Sequence, residues 1–271
     1  MPVTLAALHV YPVKGCRGLA PAAAWAGARG LEGDRRWMIV DGAGRFVSQR
    51  TRPRLAIVAP EPSCGSLVLR ALGREPLVVP LGPDGGPAGG APAAAVTVWR
   101  DTVAARDAGA AAAAWFGALL GEAARLVFMP DDTRRAVDPA FAVPGDIVSF
   151  ADGFPWLLIS EESLADLNAR LPRPLPMSRF RPNLVVSGCA PYAEDGWRTL
   201  RIGEAVFRVV KPCARCAVTT VDQETGEADG PEPLRTLARY RRVGGGVMFG
   251  QNLLAEKTGE LRVGAPVEIV D

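Results

Sequence analysis

Cys213 and Cys216 form a C-x-x-C pair within Lys211-Pro212-Cys213-Ala214-Arg215-Cys216, between two stretches that read as strands. A lone thiolate at a strand edge, flanked by arginine, is a candidate ligand for a soft or high-valent metal. Structural zinc needs four ligands, and no second closely spaced Cys/His pair exists; Cys16, Cys64 and Cys189 are scattered. Thioredoxin-type exchange needs a helix N-terminus behind the thiol, and residues 217–221 read as β. Two buried thiols in a tight turn are the plain structural alternative. On spacing alone that structural alternative is favoured.

Basic turns elsewhere add to the pattern. Tyr11-Pro12-Val13-Lys14-Gly15 puts a lysine in a glycine-bearing turn, which can offer N–H groups to an anion. Gly33-Asp34-Arg35-Arg36 ends another loop with paired arginines. Met177-Ser178-Arg179-Phe180-Arg181-Pro182-Asn183 sets two arginines and an asparagine before a strand, either a phosphate and amide clamp or solvated loop charge. The single histidine, His9, lies in an apolar run. It reads as a partly buried structural residue, and a Ser-His-Asp triad is an improbable reading of this chain.

The elements that must position these groups are mostly strands. Residues 36–40, 45–48, 54–58, 66–69, 76–79, 96–99 and 125–129 read as strands in the first half. Residues 81–95, rich in Gly, Pro and Ala, read as a surface loop. Residues 108–120 carry Trp115, Phe116, Leu119 and Leu120 at helical spacing. Residues 131–146 form a polar loop, a lid or a connection. In the second half, 156–159, 183–187, 199–202, 205–210, 246–253 and 267–270 read as strands. Ser160 is placed to cap a helix with a stripe of Leu164, Leu167 and Leu171, and 234–240 reads as a short helix. The fold class is mainly β with peripheral helices (α+β), built on a β-barrel core.

Composition sets the frame. The 271 residues, 48% hydrophobic, suffice for one large or two smaller domains. A net charge of +2 gives no global field for nucleic acid or membrane. Lysine occurs only at Lys14, Lys211 and Lys257; the arginine bias suits phosphate binding, though a genome bias gives the same count. Five cysteines without regular spacing read as reduced thiols. No signal peptide and no run of ~20 apolar residues is present, so the expected location is cytoplasmic.

Together these runs resemble the MOSC family with its N-terminal MOSC region. Tyr11-Pro12-Val13-Lys14, Gly33-Asp34-Arg35-Arg36-Trp37, Ser160-Glu161-Glu162-Ser163-Leu164-Ala165-Asp166-Leu167-Asn168, Phe180-Arg181-Pro182-Asn183, Tyr192-Ala193-Glu194-Asp195, Cys213-Ala214-Arg215-Cys216 and Phe249-Gly250-Gln251-Asn252 occur in the family's order. The resemblance is closest to the branch of the amidoxime-reducing components. It implies an N-terminal β-rich region over 1–125, whose first strands complete the core barrel, and a MOSC domain over 126–271.

The resemblance also implies a molybdenum cofactor (Mo-molybdopterin), with Cys216 as the metal ligand and Cys213 structural. Lys14, Arg35 and Arg181 match basic residues around the cofactor's phosphate and pterin. Asn183 and Asn252 match polar contacts in the same pocket. Asp152 matches an acidic residue near the metal, catalytic or anchoring, and the backbone of Gly153 adjoins it. Gly15, Ala214 and Arg215 would give main-chain contacts; Gly15 and Ala214 stand where relatives carry serine, so a hydroxyl contact is lost at each.

The implied function is reduction of N-oxygenated compounds (amidoximes, N-hydroxylated bases, hydroxylamines), with electrons from a separate haem, flavin or iron–sulfur protein. A sulfur carrier using a Cys216 persulfide and a non-catalytic pterin-binding protein are the alternatives. No membrane anchor or ferredoxin-like extension is expected. The expected partners are the small substrate and the electron donor, without nucleic acid or membrane, acting on a monomer. Substrate-selecting walls are expected in 131–146.

Overall fold

The computed structural model describes residues 2–270. Its main sheet draws on both ends of the chain. The strand order is Thr4–Leu8, Leu184–Ser187, Trp156–Ser160, Gly246–Lys257, Ala205–Ala214, Thr199–Ile202 and Val267–Ile269. Neighbours are antiparallel except Trp156–Ser160 and Leu184–Ser187. That parallel pair requires a crossover, and the helix Glu161–Arg170 supplies it. Thr4 bridges Pro266, and Leu5 N donates to Ala265 O at 2.9 Å, so the sheet nearly closes into a barrel.

The barrel interior holds Leu5, Leu8, Trp156, Leu158, Leu184, Val186, Phe207 and Leu253. Leu157 and Ile159, pointing the other way, pack with Leu167, Phe180 and Phe249. A strand covered on both faces reads as a continuous apolar run, which is why Trp156-Leu157-Leu158-Ile159 does not alternate. Ser160 caps the helix as expected, its Oγ accepting from Ser163 N at 3.1 Å.

A second β unit lies alongside. One sheet orders Trp37–Asp41, Ala124–Phe128, Asp101–Asp107 and Ala93–Val98; a smaller one orders Ala59–Ser63, Ser66–Arg70 and Leu77–Pro80. The helix Ala110–Leu120 packs Phe116 and Leu119 onto this core. The architecture is mainly β with peripheral helices. The N-terminal residues are shared: Ala23–Gly27 pairs with Gly259–Arg262, and Thr4–Leu8 belongs to the barrel.

Some local readings are corrected. Residues 54–58, expected as a strand, instead fall in a 3-10 helix, Pro53–Ile57, and its extended C-cap Val58; Pro53 fixes φ for a helical start and cannot donate to a ladder. Residues 45–48 make only isolated bridges, Val40 to Phe46 and Arg45 to Thr97. Residues 217–221 hold a 3-10 turn, Ala217–Thr220. Thr219 and Thr220 hydroxyls donate back to the Cys216 and Ala217 carbonyls at 3.0 and 2.8 Å, competing with strand geometry. The stretch 81–95 is not all surface loop: Gly86 and Pro87 are buried, and a strand begins at Ala93.

Gly250 lets Gly246–Lys257 lie close on Trp156–Ser160. It adopts φ +80°, and a Cβ there would stand 2.6 Å from Ile159 Cγ1 and 2.7 Å from Leu158 O. Gly250→Ala should therefore lose about 3 kcal/mol in urea unfolding, through strain and overpacking. A loss within experimental error would show that the two strands can part without cost.

Candidate functional site

Where the two β units meet, one cleft gathers every site residue named from the sequence. Lys14, Gly15, Arg35, Asp152, Gly153 and Arg181 line it, as do Asn183, Ala214, Arg215, Cys216 and Asn252. The strand Ala205–Ala214 runs past the expected end at Val210, through register shifts, and delivers Cys213 and Cys216 to the cleft. Both thiols are free and half-buried. Arg50 Nη2 donates to Cys216 Sγ at 3.3 Å, and Arg215 Nη1 donates to Cys213 Sγ at 3.0 Å.

Three cations are fixed by backbone geometry and buried acceptors. Lys14, 7% exposed, donates to Phe150 O at 2.7 Å and ion-pairs with Asp152. Arg35 and Arg181 both hold left-handed φ, +48° and +56°, a conformation uncommon for bulky residues and frequent at functional sites. Both guanidinium groups lie on the Tyr11 ring, at 4.5 and 4.1 Å from its centroid. Arg35 Nη1 donates to Asp34 Oδ2 at 2.6 Å and to Asn183 Oδ1 at 3.1 Å. Arg181 Nη1 donates to Cys16 O at 2.8 Å, while its buried Nη2 has no partner.

Asn183 is a support for these groups. Its Oδ1 also accepts from Leu157 N, and its Nδ2 donates to His9 O at 3.1 Å. His9 is half-buried, and burial lowers its pKa. Asn252 is less tied: Nδ2 reaches Pro212 O at 3.5 Å. Gly15, at φ +82°, presents its carbonyl to Gln49 Nε2 at 2.7 Å.

Only one arginine of each sequence pair enters the cleft. Arg36 turns to Met129 O and Asp131. Arg179 is buried against Asp222 and Asp229. The loop 131–146, expected to form substrate walls, contributes none of the cleft-lining residues. It acts from behind: Arg135 donates to Ser149 O at 3.0 Å and Asp152 O at 2.8 Å, holding the Asp152 segment. Arg50, Gln49 and Phe154 line the cleft and were missed. The run Gln49-Arg50-Thr51-Arg52 carried the only signal, a further basic cluster.

Burial opposes ionisation of Asp152, but Lys14, its hydrogen bond, Arg50 and Trp99 more than offset it. The carboxyl is held well below the usual carboxylate range and stays ionised. Burial lowers the Lys14 pKa against the pull of Asp152. Burial raises the Tyr11 phenol to about 12 despite Arg181 and Arg35, so its ring stays neutral beneath the cations. Among the described residues no cluster of three or more His, Cys, Asp or Glu converges. A metal at Cys216 would take its remaining ligands from another molecule. Chemically, the cleft offers one soft sulfur, several fixed cations and one ionised carboxylate.

The MOSC domain matches residues 145–268, and the MOSC N-terminal beta barrel domain matches residues 2–123. The chain is 38% identical to mitochondrial amidoxime-reducing component 1 of Mus musculus, over 98% of this chain and 82% of that protein. It is 35% identical to the Homo sapiens component 1 over 98% and 83% of the two chains. It is 35% identical to mitochondrial amidoxime reducing component 2 of Bos taurus over 97% and 82%.

The chain belongs to the MOSC-domain family, in the group of the amidoxime-reducing components. These relatives correct the expected cytoplasmic location, because they are named as mitochondrial components. That no helix among the described residues is long and apolar enough to cross a membrane gave no basis for placing this MOSC chain in the cytoplasm.

The pKa direction at Asp152 sets a pH test. Its folded pKa lies below the unfolded value, so its stabilisation is present above about pH 4 and is lost as pH falls below it. The stability gap between the parent and Asp152→Asn should shrink in urea unfolding as pH drops below about 4. A gap unchanged down to pH 3 would contradict the ion pair.

Proposed function

We propose that this chain is an oxidoreductase that uses a molybdenum-bearing pterin cofactor to reduce N-oxygenated compounds, with electrons from a separate redox protein. The relatives' names support reduction of amidoximes. The observation that carries the reading to this chain is the cleft's donor set. A buried, unpartnered Arg181 Nη2 stands beside Lys14 and Arg35 around a half-buried thiol. An orphaned guanidinium N–H in a buried site asks for an anionic oxygen. A thiol without protein co-ligands suits a metal that arrives with its own sulfur donors.

In this reading Cys216 Sγ would hold the metal. Lys14, Arg35 and Arg181 would bind the cofactor's phosphate and pterin oxygens. Arg215, Gly153 and Ala214, which line the same cleft, would offer it further contacts, and Asn183 fixes Arg35. The cofactor, when bound, supplies two-electron oxygen-atom abstraction. Asp152 Oδ2 accepts a hydrogen bond from a substrate N–H or O–H and orients it; a carboxyl kept ionised is a poor general acid. Cys213, with Arg215 on its sulfur, borders the site as a structural neighbour. The Asp152 side chain, 58% exposed, is within reach of a substrate arriving from solvent.

The test is turnover. Chain produced in a host that makes the cofactor should convert benzamidoxime to benzamidine with dithionite-reduced viologen as donor. Cys216→Ala should lose at least about 100-fold in kcat/KM. Molybdenum-loaded parent that reduces no N-hydroxylated compound would overturn the reductase reading.

A further inference from the structure

Trp99 lies outside every motif read from the sequence. The strands Ala93–Val98 and Asp101–Asp107 close with Val98 opposite Asp101, leaving Trp99 and Arg100 as a two-residue turn. Trp99 holds φ +57° there, where tight hairpins ordinarily place glycine, asparagine or aspartate. The residue is 46% exposed. Neither turn chemistry nor core packing accounts for a tryptophan at this position.

Its contacts do. The indole Nε1 donates to Asp152 Oδ1 at 3.3 Å. The Arg50 guanidinium stacks 4.6 Å from its ring, and Phe46 lies beside it at 5.0 Å. Arg50 in turn donates to Cys216 Sγ at 3.3 Å and approaches Asp152 Oδ2 at 3.5 Å. A chain of contacts therefore runs from a strained hairpin of the N-terminal unit to the sulfur of the C-terminal one.

We infer that Trp99 is a positioning residue of the sulfur site: it holds Arg50 against Cys216 and Asp152, and Arg50 sets the direction of the Cys216 sulfur. An arginine has many rotamers, and an aromatic face beneath a planar guanidinium selects one. Without the indole, Arg50 keeps only its long contacts to Cys216 Sγ and Asp152 Oδ2, 3.3 and 3.5 Å, and is free to turn to solvent. The sulfur then loses its guanidinium donor. Outer contacts of this kind tune a metal ligand's orientation and the affinity of the site. The inference rests on the reading of Cys216 as the metal ligand.

The test uses cofactor-loaded protein with Trp99→Gly, Trp99→Phe, Arg50→Met and the Trp99→Gly/Arg50→Met double variant. Glycine suits the backbone at this turn, so Trp99→Gly should keep Tm within about 4 °C of the parent. It should nevertheless lose molybdenum about tenfold faster on dialysis, and its kcat should fall about tenfold with KM little changed. Trp99→Phe, which keeps an aromatic face, should fall between. Because Trp99 acts through Arg50, the double variant should be no worse than Arg50→Met alone.

Parental molybdenum retention and kcat in Trp99→Gly would overturn the inference, as would losses that multiply in the double variant. If the parent holds molybdenum but reduces no N-hydroxylated compound, the reductase reading fails while the dialysis rates still decide the role of Trp99. A parent that binds no molybdenum overturns the inference together with the reading of Cys216.

Discussion

A surplus of positive charge held away from water is the constraint on which this structure depends. Lys14 and Arg181 are each at least nine-tenths buried, and Arg35 lies with Arg181 on the same tyrosine ring. Burying like charges together is costly unless each is paired or an anion arrives. Asp34 and Asp152 offset part of this charge, through Arg35 and Lys14. The Tyr11 ring face and main-chain oxygens of Phe150, Cys16 and Arg181 take up more. Arg181 Nη2 remains unsatisfied. The left-handed backbone at Arg35 and Arg181 is the strain through which the fold aims these two groups into one place.

The cleft is also a seam. Lys14, Arg35, Gln49 and Arg50 come from the first fifth of the chain; Asp152, Arg181 and Cys216 come from beyond its middle. Gln49 and Gln223 exchange amide hydrogen bonds at 3.1 and 3.0 Å, and Tyr11 Oη donates to Pro182 O at 3.1 Å. Neither β unit presents the full set alone. The shared strands Thr4–Leu8 and Ala23–Gly27 make the same point at the level of the fold, because N-terminal residues complete the barrel that carries Cys216. Precision at the sulfur therefore comes from contacts that bridge long sequence separations, such as Arg50 to Cys216.

Much of this was legible in the sequence, for identifiable reasons. The apolar run before Ser160 marked a strand, and Ser160 marked the helix start; that the strand is covered on both faces emerged only from the packing. The basic turns at Lys14, Arg35 and Arg181 and the thiol at Cys216 stood out by residue type, and the order of the motifs linked them to a family. What was hidden depended on direction and distance. Nothing local distinguishes Arg35 from Arg36, or Arg181 from Arg179; a positive φ sends one inward and leaves the other facing out or tied to carboxylates. Arg50 and Trp99 lie in no periodic pattern, and their meaning comes only from contacts across the seam. Proline at residue 53 and the threonine hydroxyls after Cys216 redirected two stretches whose side chains alone favoured strands.

The central claim is that this cationic seam holds a phosphate-bearing pterin whose metal is bound by Cys216. The measurement that reaches it most directly is the molybdenum and pterin content of the purified chain from a cofactor-competent host, beside Cys216→Ala. The account predicts near-stoichiometric molybdenum and pterin in the parent, with molybdenum lost in the variant. Neither metal nor pterin in the parent would contradict it, and would leave the buried cations to be explained by another anion.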